Sequence, residues 1–317
     1  MITLTQGRRR AEISRQGAAV NRWVVDDIDL VLGHPTDATR VGSRWYMGEV
    51  VGPFANRIAG DVLPLPSGPR RLATNDRGNT LHGGPHGFST RRWDVVAQTD
   101  DAVTLGLEWT DPDGGFPGRH EVRVEYRLTR QALVHRLTVV ADQTTVISPC
   151  SHPYFNLSGG ADVLDHVLTV RADAYRPVDA TGNPVPEAPV RVDGTPFDLR
   201  HGRRLRDVVA SSDPQVVRAG GLDHAFVLGG GQPAAVLASP DSGLELEIHT
   251  DRPSLQVFTS AVLAEADHLG SHAVPFAGIA LEAQGFPDAP HRTDFPSTLV
   301  EAGRTWASET TWRLRRR

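Results

Sequence analysis

The stretch Glu121-Val122-Arg123-Val124-Glu125-Tyr126-Arg127-Leu128 alternates a charged side chain with an apolar or aromatic one over eight residues. Successive side chains of a β-strand point to opposite faces, so this pattern predicts a strand with one wet face and one buried face. Leu244-Glu245-Leu246-Glu247-Ile248-His249-Thr250 repeats the pattern later in the chain. The period of two indicates β-structure and sets the starting hypothesis for the fold.

Other parts of the chain extend this hypothesis. Weaker strand patterns occupy residues 103–109, 133–140, 163–171, 234–238, 255–259 and 310–314. The turn Asp111-Pro112-Asp113-Gly114-Gly115-Phe116-Pro117-Gly118 is typical of a hairpin connection. A helical pattern is found only at 205–217, where Pro214 interrupts it. We therefore expect an all-β sandwich or barrel, with residues 1–317 forming a single domain.

Composition and charge exclude several classes of protein. The 317 residues carry a formal net charge of −5, so we expect no nucleic-acid partner. The chain contains no lysine, which excludes Schiff-base catalysis and a P-loop.

The expected location follows from cysteine usage and hydropathy. Cys150 is the single cysteine, so no internal disulfide can form, which suits a reducing cytoplasm. The N-terminus lacks the apolar region of a signal peptide, and no apolar stretch reaches spanning length. We expect a cytoplasmic protein that does not enter a membrane.

One decapeptide is a strong candidate for chemistry: Ser148-Pro149-Cys150-Ser151-His152-Pro153-Tyr154-Phe155-Asn156-Leu157. Prolines at 149 and 153 restrict the backbone on both sides of His152. A histidine on a stiff backbone suits a proton donor that must meet one substrate atom. The alternative is a histidine packed at the end of a strand under the two aromatic rings.

A second candidate stretch is Gly278-Ile279-Ala280-Leu281-Glu282-Ala283-Gln284-Gly285. In a strand, Glu282 and Gln284 share one face, and Ile279, Leu281 and Ala283 share the other. A carboxylate in a mostly apolar strand is solvated, hydrogen-bonded or functional, since unpaired burial is costly. The alternative is a glutamate on the wet face of an ordinary strand.

Further polar side chains lie in turn-rich segments. Asn56-Arg57 follows a proline-containing loop, His82 precedes a Gly-Gly turn, and Asp223 follows Gly221-Leu222. Arg57 offers a fork of donors, and Asp223 can accept from paired hydroxyls. Taken singly, each also fits a structural ion pair, a turn or a cap.

We expect no metal site. His82 and His86 have the spacing of a zinc-binding helix, but the intervening Gly-Gly-Pro forbids that helix. The acidic turn at 111–114 lacks the other oxygen ligands of a calcium loop.

Taken together, seven ordered motifs resemble the aldose 1-epimerase (galactose mutarotase) family: Asn56-Arg57-Ile58, Leu81-His82-Gly83-Gly84, Gly115-Phe116-Pro117-Gly118, His152-Pro153-Tyr154-Phe155-Asn156-Leu157, Gly194-Thr195-Pro196-Phe197-Asp198, Leu222-Asp223-His224 and Leu281-Glu282-Ala283-Gln284. The resemblance implies a large antiparallel β-sandwich, the galactose mutarotase-like supersandwich. It also implies a cofactor-independent isomerase that interconverts the α and β anomers of a free monosaccharide such as galactose or glucose.

The resemblance further implies roles for individual residues. Glu282 matches the general base that takes the C1 hydroxyl proton, and His152 matches the general acid that protonates the ring oxygen. The substrate-binding positions matched are Arg57, His82 and Asp223, with Asn56 and Gln284 in the same shell. Carbohydrate sites often contain an aromatic platform, for which Phe226, Phe286 and Trp93 are available.

The two residue types suit this reaction. Opening a hemiacetal removes one proton and delivers another, and Glu and His have ordinary pKa values of about 4.3 and 6.5. We expect a protonated His152 to face an ionised Glu282, because their attraction favours that state.

Two departures from the family pattern concern the surroundings of the site. Pro53 stands where many members carry an arginine, and Ser151-His152-Pro153 replaces a common Asn-His with a small hydroxyl residue after it. These changes leave the acid and the base in place and bear on substrate preference.

Alternatives of other kinds stay open. A hexose-phosphate mutarotase needs arginines at the cleft mouth, for which Arg91-Arg92 and Arg203-Arg204 are available, although both pairs also suit an ordinary surface. A non-catalytic carbohydrate-binding or sensing sandwich would keep the fold without turnover. A glycoside hydrolase ranks last, because it normally needs two carboxylates. We expect a monomer or a homodimer.

Overall fold

The computed structural model describes residues 1–113, 115–265 and 273–316, with the backbone alone at Glu265. Gly114 of the predicted hairpin turn and Arg317 at the end of the chain lie outside these ranges. In order along the chain, the earlier strands are β1 (Ile2–Gln6), β2 (Arg9–Ile13), β3 (Val20–Val25), β4 (Ile28–Asp29), β5 (Val50–Val51), β6 (Arg57–Ile58), β7 (Val62–Leu63), β8 (Arg70–Arg71), β9 (Thr80–Leu81), β10 (Asp94–Gln98), β11 (Ala102–Thr110), β12 (Arg119–Leu128), β13 (Ala132–Ala141) and β14 (Thr145–Val146). The later strands are β15 (Cys150–Ser151), β16 (Tyr154–Phe155), β17 (Val167–Val170), β18 (Ala172–Tyr175), β19 (Val190–Arg191), β20 (Arg203–Arg204), β21 (Asp223–Leu228), β22 (Ala235–Ala238), β23 (Leu244–Thr250), β24 (Ser254–Phe258), β25 (Ile279–Gln284), β26 (Leu299–Val300) and β27 (Thr305–Arg316).

The largest sheet has nine strands in the order β10-β11-β12-β13-β27-β23-β22-β17-β20, and its strand pairs are antiparallel. Strand β12 confirms the opening prediction, because its apolar positions are buried and its charged positions are exposed or half-buried. The predicted hairpin turn joins β11 to β12. Strand β23 has the predicted bounds but less regular burial, because Glu247 is buried beside His249 and Arg315.

One predicted strand begins later than expected. The pattern at 163–171 predicts a strand throughout, but β17 starts only at Val167. The Asp162 carboxylate accepts a hydrogen bond from the Leu164 amide at 2.9 Å, which forms a turn in place of a ladder.

A six-stranded antiparallel sheet, β16-β25-β24-β21-β18-β19, packs against the nine-stranded sheet. Side chains from both sheets form one hydrophobic core, which includes Val124, Leu246, Val257 and Leu281. The predicted antiparallel β-sandwich is therefore confirmed. A four-stranded sheet, β1-β2-β3-β4, and four two-stranded sheets complete the described β-structure.

Strand β25 is buried on both faces. Ile279, Leu281 and Ala283 belong to the main core, whereas Ala280 packs in a smaller cluster with Met47 and Tyr154. This arrangement confirms the predicted division of the strand into two faces. It contradicts the alternative of a wet-face glutamate, because Glu282 is only 2% exposed.

Helices are short and few among the described residues: α1 (Asp37–Arg40), α2 (Leu205–Val209), α3 (Pro214–Ala219) and 3₁₀ turns at Phe88–Thr90, Ala261–Glu265 and Ala289–His291. The predicted helix at 205–217 is thus two helices. Pro214 begins α3, because a missing N–H is harmless in a first turn, and Asp213 caps it by accepting from the Gln215 amide. In the described ranges, no helix combines the length and apolar character needed to cross a membrane.

Candidate active site

Neighbouring strands of the six-stranded sheet bring three polar side chains together. Asp223 begins β21, Gln256 lies in β24 and Glu282 lies in β25. The antiparallel register places Gln256 directly opposite Glu282. The Gln256 side-chain amide donates to the Asp223 carboxylate at 2.6 Å, which fixes the direction of that acid.

His152 meets Glu282 at this sheet. It lies between β15 and β16, and its Nε2 is 3.4 Å from Glu282 Oε1. Both side chains are almost fully buried. The predicted acid and base therefore face each other, although 130 positions separate them in the chain.

The backbone of His152 is held on both sides, as the flanking prolines suggested. Its N–H donates to the Glu49 carbonyl and its own carbonyl accepts from the Gly48 amide, both at 2.9 Å. Glu49 is itself buried and paired with Arg40 at 3.2 Å. The segment ending at Glu49 thus fixes the position of His152.

Burial changes the pKa of both members of the pair. Desolvation, followed by the Asp223 carboxylate, raises the pKa of Glu282 to about 8 against the opposing effects of Cys150 and Arg57. Desolvation lowers the pKa of His152 to about 4. In the protein alone at neutral pH, the pair therefore carries one proton on Glu282. Both shifts oppose the expected ion pair, because burial disfavours the charged form of each group.

Arg57 links two acids in the same site. Its Nε donates to Asp76 Oδ2 at 2.7 Å, and its Nη1 is 3.8 Å from Asp223 Oδ2. Burial opposes its charge, but Asp223 and Asp76 outweigh burial and raise the pKa of Arg57. The guanidinium is therefore a fixed, charged donor group.

His82 is held as a hydrogen-bond donor. Its Nδ1 accepts from the Asn56 amide at 3.1 Å, so the proton of the neutral ring lies on Nε2. Burial lowers the pKa of His82 well below its ordinary value, which keeps the ring neutral. Asn56 and His82 both have positive φ, 64° and 54°, a conformation that non-glycine residues adopt at a cost.

Ligand atoms of His82, His152 and Glu282 lie within 4.8 Å of one another. The family resemblance implied that these three residues share one site, although they are far apart in the sequence. The tautomer of His82 fits a metal poorly, since the nitrogen available to a metal already carries a proton. The arrangement favours donation to a substrate oxygen.

A cavity of about 450 Å³ opens above these groups. Its described lining combines charged, amide and aromatic side chains: Arg44, Trp45, Tyr46, Asn56, Arg57, Asn75, Asp76, Arg77, Leu81, His82, His152, Tyr154, Arg218, Ala219, Asp223, Phe258, Val262 and Glu282. Six of the seven predicted site residues therefore share one cavity. Gln284 does not line it. It is fully buried beneath Glu282, where its Oε1 lies 3.7 Å from the Cys150 thiol.

The three rings offered for an aromatic platform are wrong, because none of them lines the cavity. Phe226 and Trp93 lie in the main core, and Phe286 packs on Phe295 away from the cavity. Their apolar surroundings explain this, because full burial removes a ring from contact with a ligand. Aromatic surface in the cavity comes from Trp45, Tyr46, Tyr154 and Phe258.

Sequence reasoning missed several side chains of the site. Trp45-Tyr46, an aromatic pair between charged and glycine residues, was a usable signal for a segment that lines the cavity. Asp76, in the polar turn before Asn79, was a weaker one. Gln256 and Cys150 gave no signal, because their roles depend on partners more than 30 residues away.

The fold and the site define a class: a β-sandwich enzyme with a polar and aromatic cavity and a buried histidine–carboxylate pair at its base. A family model described as aldose 1-epimerase matches residues 1–313. The chain belongs to the aldose 1-epimerase family.

Individual relatives agree with this assignment. The chain is 35% identical to an aldose 1-epimerase of Escherichia coli K12 over 85% of this chain and 80% of that protein. It is 34% identical to the galactose mutarotase of Bos taurus, over 98% and 92%. The solved structure of a galactose 1-epimerase from Lactobacillus acidophilus superposes with a TM-score of 0.89 at 27% identity, covering 99% of this chain and 93% of that one. The GalM/aldose epimerase homologue from C. elegans superposes with a TM-score of 0.91 at 26% identity, over 99% and 98%.

Proposed function

We propose that this protein is a cofactor-independent aldose 1-epimerase that interconverts the α and β anomers of a free monosaccharide such as galactose or glucose. The observation that carries the proposal is the buried His152–Glu282 pair, 3.4 Å apart at the base of the cavity. Hemiacetal opening needs one proton removed and one delivered, and this pair can hold a single proton on either member.

The reaction begins with a shift of that proton. Sugar hydroxyls next to the pair replace part of the lost hydration, so Glu282 can pass its proton to His152. Glu282 then takes the proton of the C1 hydroxyl, and the O–H electrons form the C1 carbonyl. The bond between C1 and the ring oxygen breaks, and the ring oxygen takes the proton of His152.

The open aldehyde rotates about the C1–C2 bond. Reclosure on the other face of the carbonyl reverses each transfer and restores the starting protonation of the pair. No electron acceptor or co-reactant is needed, because the two anomers have the same composition.

We assign substrate orientation to Arg57, His82 and Asp223. Arg57 and the Nε2–H of His82 donate, whereas Asp223 accepts, so the three together suit vicinal hydroxyl groups. Asn56 supports these three residues by donating its backbone N–H to His82 Nδ1, which fixes the His82 ring. Gln284 lies beneath the cavity and acts indirectly. Its Oε1 is 3.7 Å from the Cys150 thiol, which is itself 3.7 Å from Glu282 Oε2.

A carbohydrate-binding sandwich without turnover is the main rival. Binding alone does not require an acid and a base buried face to face, since desolvating both is unfavourable. Anomer exchange, measured by polarimetry or NMR on freshly dissolved α-galactose and α-glucose, separates the two functions.

We predict that Glu282→Gln and His152→Asn each lower the catalysed rate by about 10²–10⁴-fold, because each removes one proton-transfer group. The matched control is Glu247→Gln, which alters another buried glutamate paired with a histidine, His249, at 2.9 Å outside the cavity. This control should keep its activity. Binding of sugar by wild type without faster exchange would refute the catalytic proposal.

We also propose that the protein works in the cytoplasm, supported by its single, buried cysteine. Fractionation of the source cells with an antibody tests the location. As a monomer or a homodimer, it should elute from a sizing column at about one or two times its chain mass.

A further inference from the structure

Arg57 differs from the other arginines weighed for substrate contact. The pairs considered from sequence, Arg91-Arg92 and Arg203-Arg204, lie outside the described lining of the cavity. Arg57 lines it with a side chain that is only 9% exposed. A side chain that orients a substrate needs its own direction fixed by the protein, because a small displacement weakens every contact that it makes.

The Arg57 guanidinium is held on two of its three nitrogens. Its Nε donates to Asp76 at 2.7 Å, and its Nη1 donates to Asn56 Oδ1 at 3.4 Å. Asp223 Oδ2 lies 3.8 Å from the same Nη1. Among the residues that the structure describes, none accepts a hydrogen bond from Nη2. Its two N–H groups therefore remain for oxygens of the sugar.

The backbone of Gly182 packs directly against this guanidinium. A Cβ atom on Gly182 would come within 3.0 Å of Arg57 Cζ and 3.1 Å of Arg57 Nε. Carbon atoms in ordinary contact lie about 3.5–4.0 Å apart, so the guanidinium would have to shift. Arg77 Nη2 would also be close, at 2.9 Å, but that side chain is half-exposed and can turn away.

The loop that carries Gly182 is itself firmly held. The Asp179 carboxylate accepts from the Asn183 amide at 3.1 Å, and the Asp179 amide donates to the Asn183 carbonyl at 2.9 Å. The Gln215 side chain accepts from the Val178 amide at 2.8 Å and donates to the Val178 carbonyl at 3.1 Å. The loop therefore has little freedom to retreat from an added side chain.

We propose that Gly182 is a positioning residue for Arg57, whose backbone fixes the direction in which Nη2 meets the sugar. Gly182 does not belong to the described lining of the cavity, so its effect on the sugar passes through Arg57. The inference rests on the proposed anomer exchange and adds a residue that makes no substrate contact of its own.

Gly182→Ala adds the Cβ atom and displaces the guanidinium. It should raise KM for galactose and glucose about tenfold and leave kcat within about twofold, because a grip on hydroxyl groups away from C1 acts on ground state and transition state alike. NMR measurement of anomer exchange over a range of sugar concentrations, with the uncatalysed rate subtracted, separates the two constants.

Gly194→Ala is the matched control. Gly194 has a similar φ, 71° against 86° for Gly182, but a Cβ atom there would meet nothing within 4 Å. The control carries the backbone cost of alanine at positive φ without the contact, so its KM should stay within about twofold of wild type.

A double-mutant cycle tests whether Gly182 acts through Arg57. Lysine at position 57 keeps the positive charge but lacks the planar guanidinium that the Cβ atom would displace. In the Arg57→Lys background, Gly182→Ala should therefore change KM by less than about twofold. The two single effects should be strongly non-additive.

Gly182→Asn serves if the alanine variant folds poorly. Asparagine tolerates positive φ better than alanine does, and it brings the same Cβ atom. The rise in KM should persist, whereas the loss of stability in urea unfolding should be smaller. A merely structural role would instead make the two effects fall together.

Three results would overturn the inference. The first is an unchanged KM in both Gly182 variants, and the second is an equal rise in KM for Gly194→Ala. The third is the same effect of Gly182→Ala with arginine or lysine at position 57. Calorimetric binding of galactose repeats the cycle without turnover. Absence of exchange in wild type would thus refute the proposed function, while the binding cycle would still decide the role of Gly182.

Discussion

At the scale of single residues, the site depends on fixed donors and acceptors. The backbone N–H of Asn56 can only donate, so it determines the tautomer of His82. Asp76 and Asp223 likewise keep the Arg57 fork charged. In the proposed function, these constraints orient the sugar without reorganisation at the moment of reaction, which is the main advantage of a preorganised polar site.

The pH dependence of kcat/KM should be bell-shaped. The active pair holds one proton, so activity should rise as pH increases past about 4, where His152 loses its extra proton. Activity should fall above about pH 8, where Glu282 loses the remaining proton of the pair. Rates from pH 3.5 to 9.5, corrected for the uncatalysed reaction, measure both limits. A profile flat through pH 9 would contradict this assignment.

Cys150 offers a probe of the alkaline limit. Its thiol lies 3.7 Å from Glu282 Oε2 and stabilises the ionised carboxylate, which lowers the pKa of Glu282. Cys150→Ala should therefore move the alkaline limit upward by roughly half a unit to one unit, since a net hydrogen bond contributes ~0.5–1.5 kcal/mol. Cys150→Ser keeps a donor and should not show this upward shift. The acid limit should be unchanged in both.

At the scale of elements, short segments that join the sheets position the site. The loop after helix α1 forms one wall of the cavity through Arg44, Trp45 and Tyr46, and Arg40 at the end of α1 anchors that loop. Arg40 donates to the Met47 carbonyl at 2.6 Å, to Glu49 at 3.2 Å and to the Asn21 side chain. The Glu49 carbonyl in turn accepts from the His152 N–H, so the buried Arg40–Glu49 pair helps to fix the position of His152.

Arg40→Ala should destabilise the protein by about 3–5 kcal/mol, because it leaves Glu49 buried without its partner. Urea unfolding measures the loss. Arg22→Ala is the control, since the Arg22–Asp29 pair is partly exposed at 42% and 31% and should contribute about 0–1 kcal/mol. Similar losses in the two variants would refute the role of Arg40.

The cost of Arg40→Ala should also grow with pH. Burial raises the pKa of Glu49 to about 7, although Arg40 opposes this shift. Without Arg40 the pKa rises further, so the variant folds with a protonated Glu49 over a wider range. The difference from wild type should therefore be larger at pH 8 than at pH 5.

At the scale of the whole molecule, strand β27 joins two halves of the larger sheet. It pairs with β13 on one side and with β23 on the other. Trp312 in this strand is 1% exposed and packs on His135 and on Phe155, three positions beyond His152. Strand β27 near the end of the chain thus supports the segment that carries His152. The single-domain organisation stays a prediction, which one cooperative unfolding transition would support.

Trp312→Ala should destabilise the protein by about 3–5 kcal/mol, the usual loss for a fully buried aromatic side chain. Trp306→Ala in the same strand is the control, because Trp306 is only partly buried and its ring lies under Arg252. Chemical unfolding followed by circular dichroism compares the two. A loss for Trp306→Ala as large as that for Trp312→Ala would contradict the central position of Trp312.

The sequence by itself determined the β-sandwich, the two faces of β25 and the residue types at the site. Period-two alternation is a local property, as is the arrangement of prolines around His152, so both were readable along the chain. The motifs also indicated six side chains that share the cavity: Asn56, Arg57, His82, His152, Asp223 and Glu282.

Only the tertiary structure decided the protonation of the His152–Glu282 pair and the composition of the cavity wall. The pKa values of Glu282 and His152 depend on burial and on neighbours from other strands, which no local pattern records. The same holds for Gln256 beside Asp223 and for Gly182 beside Arg57, since long-range strand register and loop packing bring them together. Desolvation and electrostatic coupling act through space, whereas the sequence displays only neighbours along the chain.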